Sequence, residues 1–320
     1  MIISENKIIE DYLKKLSFKK KQALNFNDDV FYDSNKKMIF SKDTYVEGIH
    51  FIKNSRPQDF IKKIFRSSLS DIYCKGINPK VYFLSLSINK TNNHWLKNFT
   101  NQLKIESKKY GLFLGGGDTV KSKILSITIS VIGYTKFKPI LRSTAKKNDD
   151  IYITGNLGES FLGLQVLKNK INLRRNNSYF VRSFYEPNVP FKFSKYLHAF
   201  ATASMDISDG LVKDLKNLCN ASKCGAKINF FDLPYSSRVR SISKKKQIYL
   251  KNIFSKGDDY QFLFTANKKN RNLIKRIAKK TTTKVSRVGV ITTKKNVNLL
   301  EGERYIDLST FKSGYIHNFS

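Results

Sequence analysis

Met205-Asp206-Ile207-Ser208-Asp209-Gly210-Leu211 places two carboxylates, a hydroxyl and a glycine in front of an amphipathic run. The small residues Ala201-Thr202-Ala203-Ser204 precede it, and Leu211, Val212, Leu215 and Leu218 follow at the spacing of one helix face. The spacing predicts a helix that opens here, with Asp206 and Asp209 on its first turn, three residues apart. Free backbone N–H groups and the positive end of the dipole favour anions at such a place. A plainer account makes Asp206 or Ser208 an N-cap and leaves Asp209 to the dipole. The choice turns on further Asp-bearing turns of the same character, at 27–29, 41–43, 117–119 and 257–259.

Working outward from this stretch, the C-terminal part reads as short α/β units. Residues 226–231 form a strand, 236–247 a basic helix, 262–266 a strand and 268–280 a second basic helix. Upstream, 150–154 is a strand, 155–158 a turn and 159–168 a helix. The polar stretch 170–189 reads as irregular, and 190–200 as a helix. The basic, polar segment 136–149 marks a domain boundary, so the expected division is 1–138 and 139–320. In the first domain, residues 4–17 suggest a short amphipathic helix, and 38–41 a strand ending at Lys42-Asp43-Thr44. Pro57 opens a helix with Phe60, Ile61, Ile64, Phe65, Leu69 and Ile72 on one face and Gly76 as its C-cap. Asp71 stands near the negative end of that helix, which is unfavourable unless a cation holds it. A strand at 81–88, a helix at 93–109 and a strand at 125–135 complete the unit. Between them, Gly115-Gly116-Gly117-Asp118-Thr119 reads as a glycine turn that lets backbone approach a ligand, with an acid placed for a metal that bridges phosphates. It is not a Walker A loop, because no G-x-x-x-x-G-K-[ST] occurs.

Composition bounds the answer. With 320 residues the chain can hold two domains with cores of their own, and 40% hydrophobic residues make it globular. No apolar run approaches the ~20 residues that span a bilayer. Three scattered cysteines exclude a disulfide framework and a CxxC zinc site, and the first residues show no signal-peptide core; the expected location is cytoplasmic. The net charge of +34 raises the question of nucleic acid. Its lysines and arginines are spread in twos and threes, as at 19–21, 36–37, 146–147, 174–175 and 244–246, and no stripe collects them. The charge is therefore read as solvated surface, with no specific nucleic acid and no membrane as partner.

Against that basic background the Asp turns stand out: 25 acidic residues face 59 basic ones. Clustered carboxylates repel unless cations bind between them, and a glycine turn with Lys121 and Arg142 suits a polyphosphate. Residue chemistry thus points to Mg²⁺-dependent handling of a nucleotide outside the P-loop class.

Asn27-Asp28-Asp29, Ser41-x-Asp43-Thr44-x-x-x-Gly48-x-His50-Phe51, Leu69-Ser70-Asp71-Ile72, Gly116-Gly117-Asp118-Thr119, Arg142-Ser143, Ile151-Tyr152-x-Thr154-Gly155-x-x-Gly158, Asp206-Ile207-Ser208-Asp209-Gly210-Leu211 and Gly257-Asp258-Asp259-Tyr260 occur in this order. In that order the chain resembles the thiamine-monophosphate kinases over nearly its whole length. The resemblance implies ATP-dependent phosphorylation of thiamine monophosphate to thiamine diphosphate. It implies an α/β (α+β) fold of two domains, an N-terminal mixed sheet with helices and a C-terminal α/β sandwich, and a homodimer whose N-terminal sheets pair. It also implies that Asp29, Ser41, Asp43, Asp71, Asp118, Asp206 and Asp209 bind Mg²⁺, that Tyr110, Gly117, Asp118, Arg142 and Ser208 contact ATP, and that His50, Asp258 and Tyr315 contact the thiamine phosphate. Without the motif, His50 reads as a hydrogen-bonded histidine at a strand end and Tyr315 as packing. Asn27, Lys42, Ser68, Lys121, Lys256 and Gln261 depart from the family pattern and bear on loop geometry. Lys256 is read as pointing to solvent.

The alternatives are relatives of the same architecture: aminoimidazole ribonucleotide synthetase, selenophosphate synthetase and the hydrogenase maturation factor. The last two need cysteines that this chain lacks at the required places, since its cysteines are Cys74, Cys219 and Cys224. A non-catalytic nucleic-acid binder is a further alternative. Any such binding is expected to be non-specific and to weaken steeply with salt.

Overall fold

The computed structural model describes residues 3–246, 250–308 and 318–319. In chain order, the first part contains β1 (Ile3–Ser4), α1 (Glu5–Ile8), β2 (Phe31–Asp33), β3 (Met38–Val46), α2 (Pro57–Tyr73), β4 (Pro79–Ile88), α3 (Asn93–Tyr110), β5 (Phe113–Lys121) and β6 (Ser126–Tyr134). The second contains β7 (Asp150–Thr154), α4 (Glu159–Leu167), α5 (Asn177–Tyr185), α6 (Phe191–Ser194), β8 (Ala201–Ile207), α7 (Leu211–Ala221), β9 (Gly225–Asn229), α8 (Ser237–Lys246), α9 (Leu250–Ile253), β10 (Gln261–Ala266), α10 (Arg271–Lys280), β11 (Val285–Thr292), β12 (Val297–Glu301), β13 (Arg304–Ile306) and β14 (Asn318–Phe319).

The first sheet has the order β2-β3-β6-β4-β5. It is mixed: β4 and β5 run parallel and the other neighbours antiparallel. The second has the order β13-β12-β9-β11-β7-β10-β8, antiparallel except for β9 and β12. Its inner strands β7 and β10 are buried at every residue, which requires cover on both faces. β1 and β14 pair the two ends of the chain.

Alternation in β3 places Ile39, Ser41 and Tyr45 on the buried face. α2 lies against that face, and Phe60, Ile61, Ile64, Phe65, Leu69 and Ile72 along it are fully buried. Pro57 is at its first turn, where a missing N–H costs nothing. Its other side is buried as well, including the polar residues Lys63, Ser67 and Ser70. The second part has an apolar cluster of its own around Ile153, Leu215 and Leu263. One apolar cluster joins Phe60, Phe65, Ile127 and Ile129 of the first sheet layer to Tyr152, Phe193, Phe262 and Phe264 of the second. α2 is therefore an internal helix between the two sheets.

Several expected elements are revised. The segment 4–17 is not one helix but α1 followed by a π turn and a 3-10 turn, with Tyr12 and Leu16 exposed. The strand at 38–41 runs on to Val46, so Asp43 lies in mid-strand and not in a turn. The glycines 115–117 do not turn either: they continue as β5, an exposed edge strand. The segment 170–189 contains α5, whose Phe180 and Phe184 are buried. Residues 190–200 break into α6 and a 3-10 turn.

Candidate active site

The strand β8 carries Asp206, one residue before its end, and α7 begins only at Leu211 after Gly210. The helix-start reading of Asp206 and Asp209 is thus corrected: neither belongs to the helix. The acid in the first turn of α7 is Asp214, which accepts from the N–H groups of Asp209 and Gly210 at 3.1 and 3.0 Å. Burial, then the carboxylates of Asp209 and Asp206, push Asp214 well up. It braces the 206–210 turn from behind.

The last turn of α2 faces both sheets at once. Ser70 donates to Asp206 on the second sheet, and Asp71 accepts from Ser41 of β3 at 2.6 Å. Asp43, two residues along β3, shares the Ser41 face of the strand. Burial, then the charges of Asp206 and Asp29, push Asp43 up to about 7. Burial pushes Asp206 up to about 6, with Asp29 adding and Ser70 opposing. Asp71 is held well above the carboxylate range by burial and then by Asp43, Asp206 and Asp29. The cation expected beside Asp71 is absent from the main influences on Asp71 or Asp43. The structure therefore converges Asp29, Asp43, Asp71 and Asp206 from four separate segments, the 27–29 turn, β3, α2 and β8.

Among the described residues, no group of three or more acids, histidines or cysteines is already closed around a metal position. Mg²⁺ keeps several waters and binds through one or two carboxylates plus substrate phosphates. Oxygen donors that repel one another, as Asp43, Asp71 and Asp206 do, are the donor set such an ion needs.

The turn at 27–29 is tied down from below. The Lys75 ammonium, fully buried, lies 2.7 Å from Asp28 and donates to the Ser204 carbonyl at 2.9 Å. The other Asp28 oxygen accepts from the Arg142 N–H. The Arg142 guanidinium meets Asp29 at 3.2 Å and the Asn27 carbonyl at 2.6 Å. Asp209 is paired with Lys213 at 2.6 Å.

The loop 255–260 lies directly on this turn. Asp258 N–H donates to the Ser208 carbonyl and Tyr260 N–H to the Ile207 carbonyl, both at 2.8 Å. Asp258 is held in the left-handed region (φ +71°), and its carboxylate accepts from the Tyr260 hydroxyl and pairs with Lys63. Lys256 is half-exposed, and its ammonium lies 5.9 Å from the centre of the Phe161 ring. Gln261 is buried and bridges Thr154 and Asn188.

The other expected site residues have the following surroundings. His50 takes a hydrogen bond on Nδ1 from the Val46 N–H at 3.0 Å and meets the Tyr45 ring edge-on. Tyr110 is buried among Phe65, Tyr73 and Phe191, a packing that accounts for it without a ligand. Gly117 and Asp118 stand on exposed β5, and the Asp118 side chain accepts the Thr119 N–H. Tyr315 lies outside the described residues. Sequence reasoning missed Ser70, Asp214, Lys75 and Lys63. Lys63, Ser67 and Ser70 do share one helix stripe, which is the only local signal.

The repulsion has a measurable consequence. Asp43 and Asp206 have pKa values raised above that of an unfolded Asp, ~3.9. Below pH ~4 both states hold these protons and there is no penalty. From about 4 to 7 the folded state binds more protons than the unfolded one, so stability falls as pH rises through that window. We expect the metal-free thermal midpoint of the wild type to drop over this range relative to Asp43→Asn, and millimolar Mg²⁺ to recover more at pH 7.5 than at pH 5. Parallel curves for the two proteins would contradict it.

The comparisons with known proteins follow the same line. Residues 26–135 match the model of the AIR synthase related protein N-terminal domain. A thiamine-monophosphate kinase of Buchnera aphidicola subsp. Schizaphis graminum is 37% identical, covering 99% of this chain and 99% of its own length. That of Escherichia coli K12 is 32% identical over 74% of this chain and 73% of its own length. A solved structure described as AaThiL complexed with AMPPCP and TMP superposes with a TM-score of 0.83 at 26% identity, covering 98% of this chain and 97% of that one. With a whole-length relative at this identity and a converged carboxylate cluster at the expected motifs, the chain belongs to the thiamine-monophosphate kinase family.

Proposed function

We propose that the protein transfers the γ-phosphoryl group of ATP to the phosphate of thiamine monophosphate, giving thiamine diphosphate and ADP. The observation that carries this reading is the cluster Asp43, Asp71 and Asp206, drawn from both sheets and α2, in which Asp206 raises Asp43 and both raise Asp71 while Lys75 opposes at Asp206, in a chain that aligns end to end with a thiamine-monophosphate kinase. An oxygen of the acceptor phosphate attacks the γ-phosphorus, and the bond from that phosphorus to the β–γ bridging oxygen breaks. The acceptor is a monoester with a second pKa of ~6, so it is largely deprotonated at neutral pH and no general base is required. The difficulty is to bring two polyanions together in line, and positioning with charge neutralisation supplies most of the catalysis.

Asp29, Asp43, Asp71, Asp206 and Asp209, with Ser41 beside them, would hold Mg²⁺, which would supply that neutralisation. Arg142, oriented by Asp29 and Asn27, faces the nucleotide together with Ser208. Asp258 and His50 bind the thiamine moiety, with Tyr315. Gly117 and Asp118 belong to the nucleotide and metal side of the reading, and Tyr110 is its weakest member because of its packing. The domain division 1–138 and 139–320 and a cytoplasmic location remain part of this proposal.

So does a homodimer through the first sheet. β5 leaves an unpaired edge, and Phe83, Phe113, Leu114, Val120 and Ile124 are exposed on or beside it. An exposed apolar edge strand invites pairing with a second copy.

Purified protein incubated with ATP, Mg²⁺ and thiamine monophosphate is expected to form thiamine diphosphate and ADP in equal amounts, read by chromatography. Absence of both products with folded protein would refute the assignment.

A further inference from the structure

Lys63 is a lysine in a place where lysines are rare. It sits on α2, seven residues before Ser70, on the stripe turned toward the second sheet. Its side chain is 1% exposed. The ammonium lies 2.9 Å from Asp258 Oδ1, 3.8 Å from the centre of the Phe184 ring and 5.7 Å from that of Tyr260. Its alignment toward Asp258 falls short of a hydrogen bond, and among the described residues no other acceptor meets it. Burying an ammonium costs several kcal/mol unless it is well paired and hydrogen-bonded. Burial here outweighs the attraction of Asp258 and holds the lysine below its usual pKa.

Asp258 is the other half of the pair. Its side chain is one-third exposed, so one side of the carboxylate meets Lys63 and Tyr260 while another is open to solvent. α5 closes the back of the pair by placing Phe184 over the ammonium. The buried cation can reach nothing in solvent. What it can do is fix where the carboxylate points.

We propose that Lys63 is a positioning residue for the cationic substrate: it holds the Asp258 carboxylate toward the site and makes the resting pair neutral, so that the thiazolium is recognised by an oriented carboxylate and not by a loose charge. The inference rests on the reading that Asp258 contacts thiamine monophosphate. It also changes what Asp258→Asn does. That substitution removes a substrate contact and leaves a buried ammonium facing a cationic ligand.

The test is a double-mutant cycle on Lys63→Met, Asp258→Asn and the double variant, with KM for each substrate and kcat measured in parallel. Met matches the length of the lysine stem and packs well on an aromatic ring, so the fold is expected to survive. Lys63→Met should raise KM for thiamine monophosphate about tenfold, with KM for ATP and kcat within about twofold of wild type. Asp258→Asn should raise the same KM further. The double variant should bind thiamine monophosphate better than Asp258→Asn alone, because the lone ammonium is gone. A brace between α2 and the 257–260 turn would instead shift both KM values and kcat together and add to Asp258→Asn; that outcome overturns the proposal. A raised KM in Asp258→Asn with none in Lys63→Met overturns it and leaves the reading of Asp258 intact. An unchanged KM for thiamine monophosphate in Asp258→Asn refutes that reading, and the Lys63 proposal with it.

Discussion

Asp206→Asn is expected to lower turnover at least ~100-fold at saturating Mg²⁺ and substrates, and yet to make the metal-free protein more stable. Loss of an electrostatic contact to developing charge is worth ~2.7 kcal/mol or more, which sets the scale. Asp206 is 2% exposed at the end of β8 and lies within the influence of Asp29 and Asp209, while it in turn raises Asp43 and Asp71. In the absence of a cation its charge is a cost to the fold, and the amide removes that cost while keeping size and the contact with Ser70. Asp71→Asn should move both quantities in the same directions. The opposite signs are the diagnostic feature. A residue retained for folding would lose stability when neutralised, whereas a ligand retained for function loses only activity. Wild-type-like turnover would end the metal-ligand assignment, and a lower metal-free midpoint would show that the cluster is not under repulsion.

Gly257→Ala is expected to cost about 100-fold in kcat/KM and ~1–3 kcal/mol in stability. A Cβ at Gly257 would stand 2.0 Å from the Ser208 carbonyl oxygen and 2.9 Å from Asp209 Cα. Both are backbone atoms that cannot rotate away. The 255–260 loop and the 206–210 turn are registered by the Asp258–Ser208 and Tyr260–Ile207 hydrogen bonds, and by Leu211 N–H to the Phe254 carbonyl at 3.1 Å. A methyl group forces the two apart by on the order of 1 Å, and a displacement of that size is enough to misplace reacting groups. It would move Asp258 away from Asp206 and Asp209, the two halves of the site at once. Gly302→Ala is the control: that glycine has φ +64° but nothing within 4 Å of the added carbon, so it should lose some stability and no activity. Equal kinetic losses in both variants would mean that general backbone strain, and not the registration of the two loops, is responsible.

The two expectations separate what is readable along the chain from what is not. Periodicity alone predicts α2, α3, β4 and β6 within a few residues, because each buries one regular face. The Asp motifs are legible too, since carboxylates are scarce in so basic a chain. Their geometry is less so. Asp43 and the glycines 115–117 read as turns because Asp and Gly favour turns, yet both lie in strands, where pairing with β6 and β4 supplies hydrogen bonds that no local preference anticipates. Asp206 reads as a helix start, but pairing of β8 with β10 extends the strand through it. The segment 170–189 looks irregular because α5 is built from aromatic and polar residues, and its helix is paid for by burying Phe180 and Phe184. Lys63, Ser67 and Ser70 carry every local mark of a solvent face. They are buried because α2 is packed on both sides, against its own sheet and against the second one. By itself the sequence determined the family and the reaction class, since those depend on residue types in order. That Ser70 meets Asp206 and that Lys63 stands behind Asp258 were decided by the docking of two sheets on one helix, because contacts between residues more than a hundred positions apart leave no trace in local periodicity.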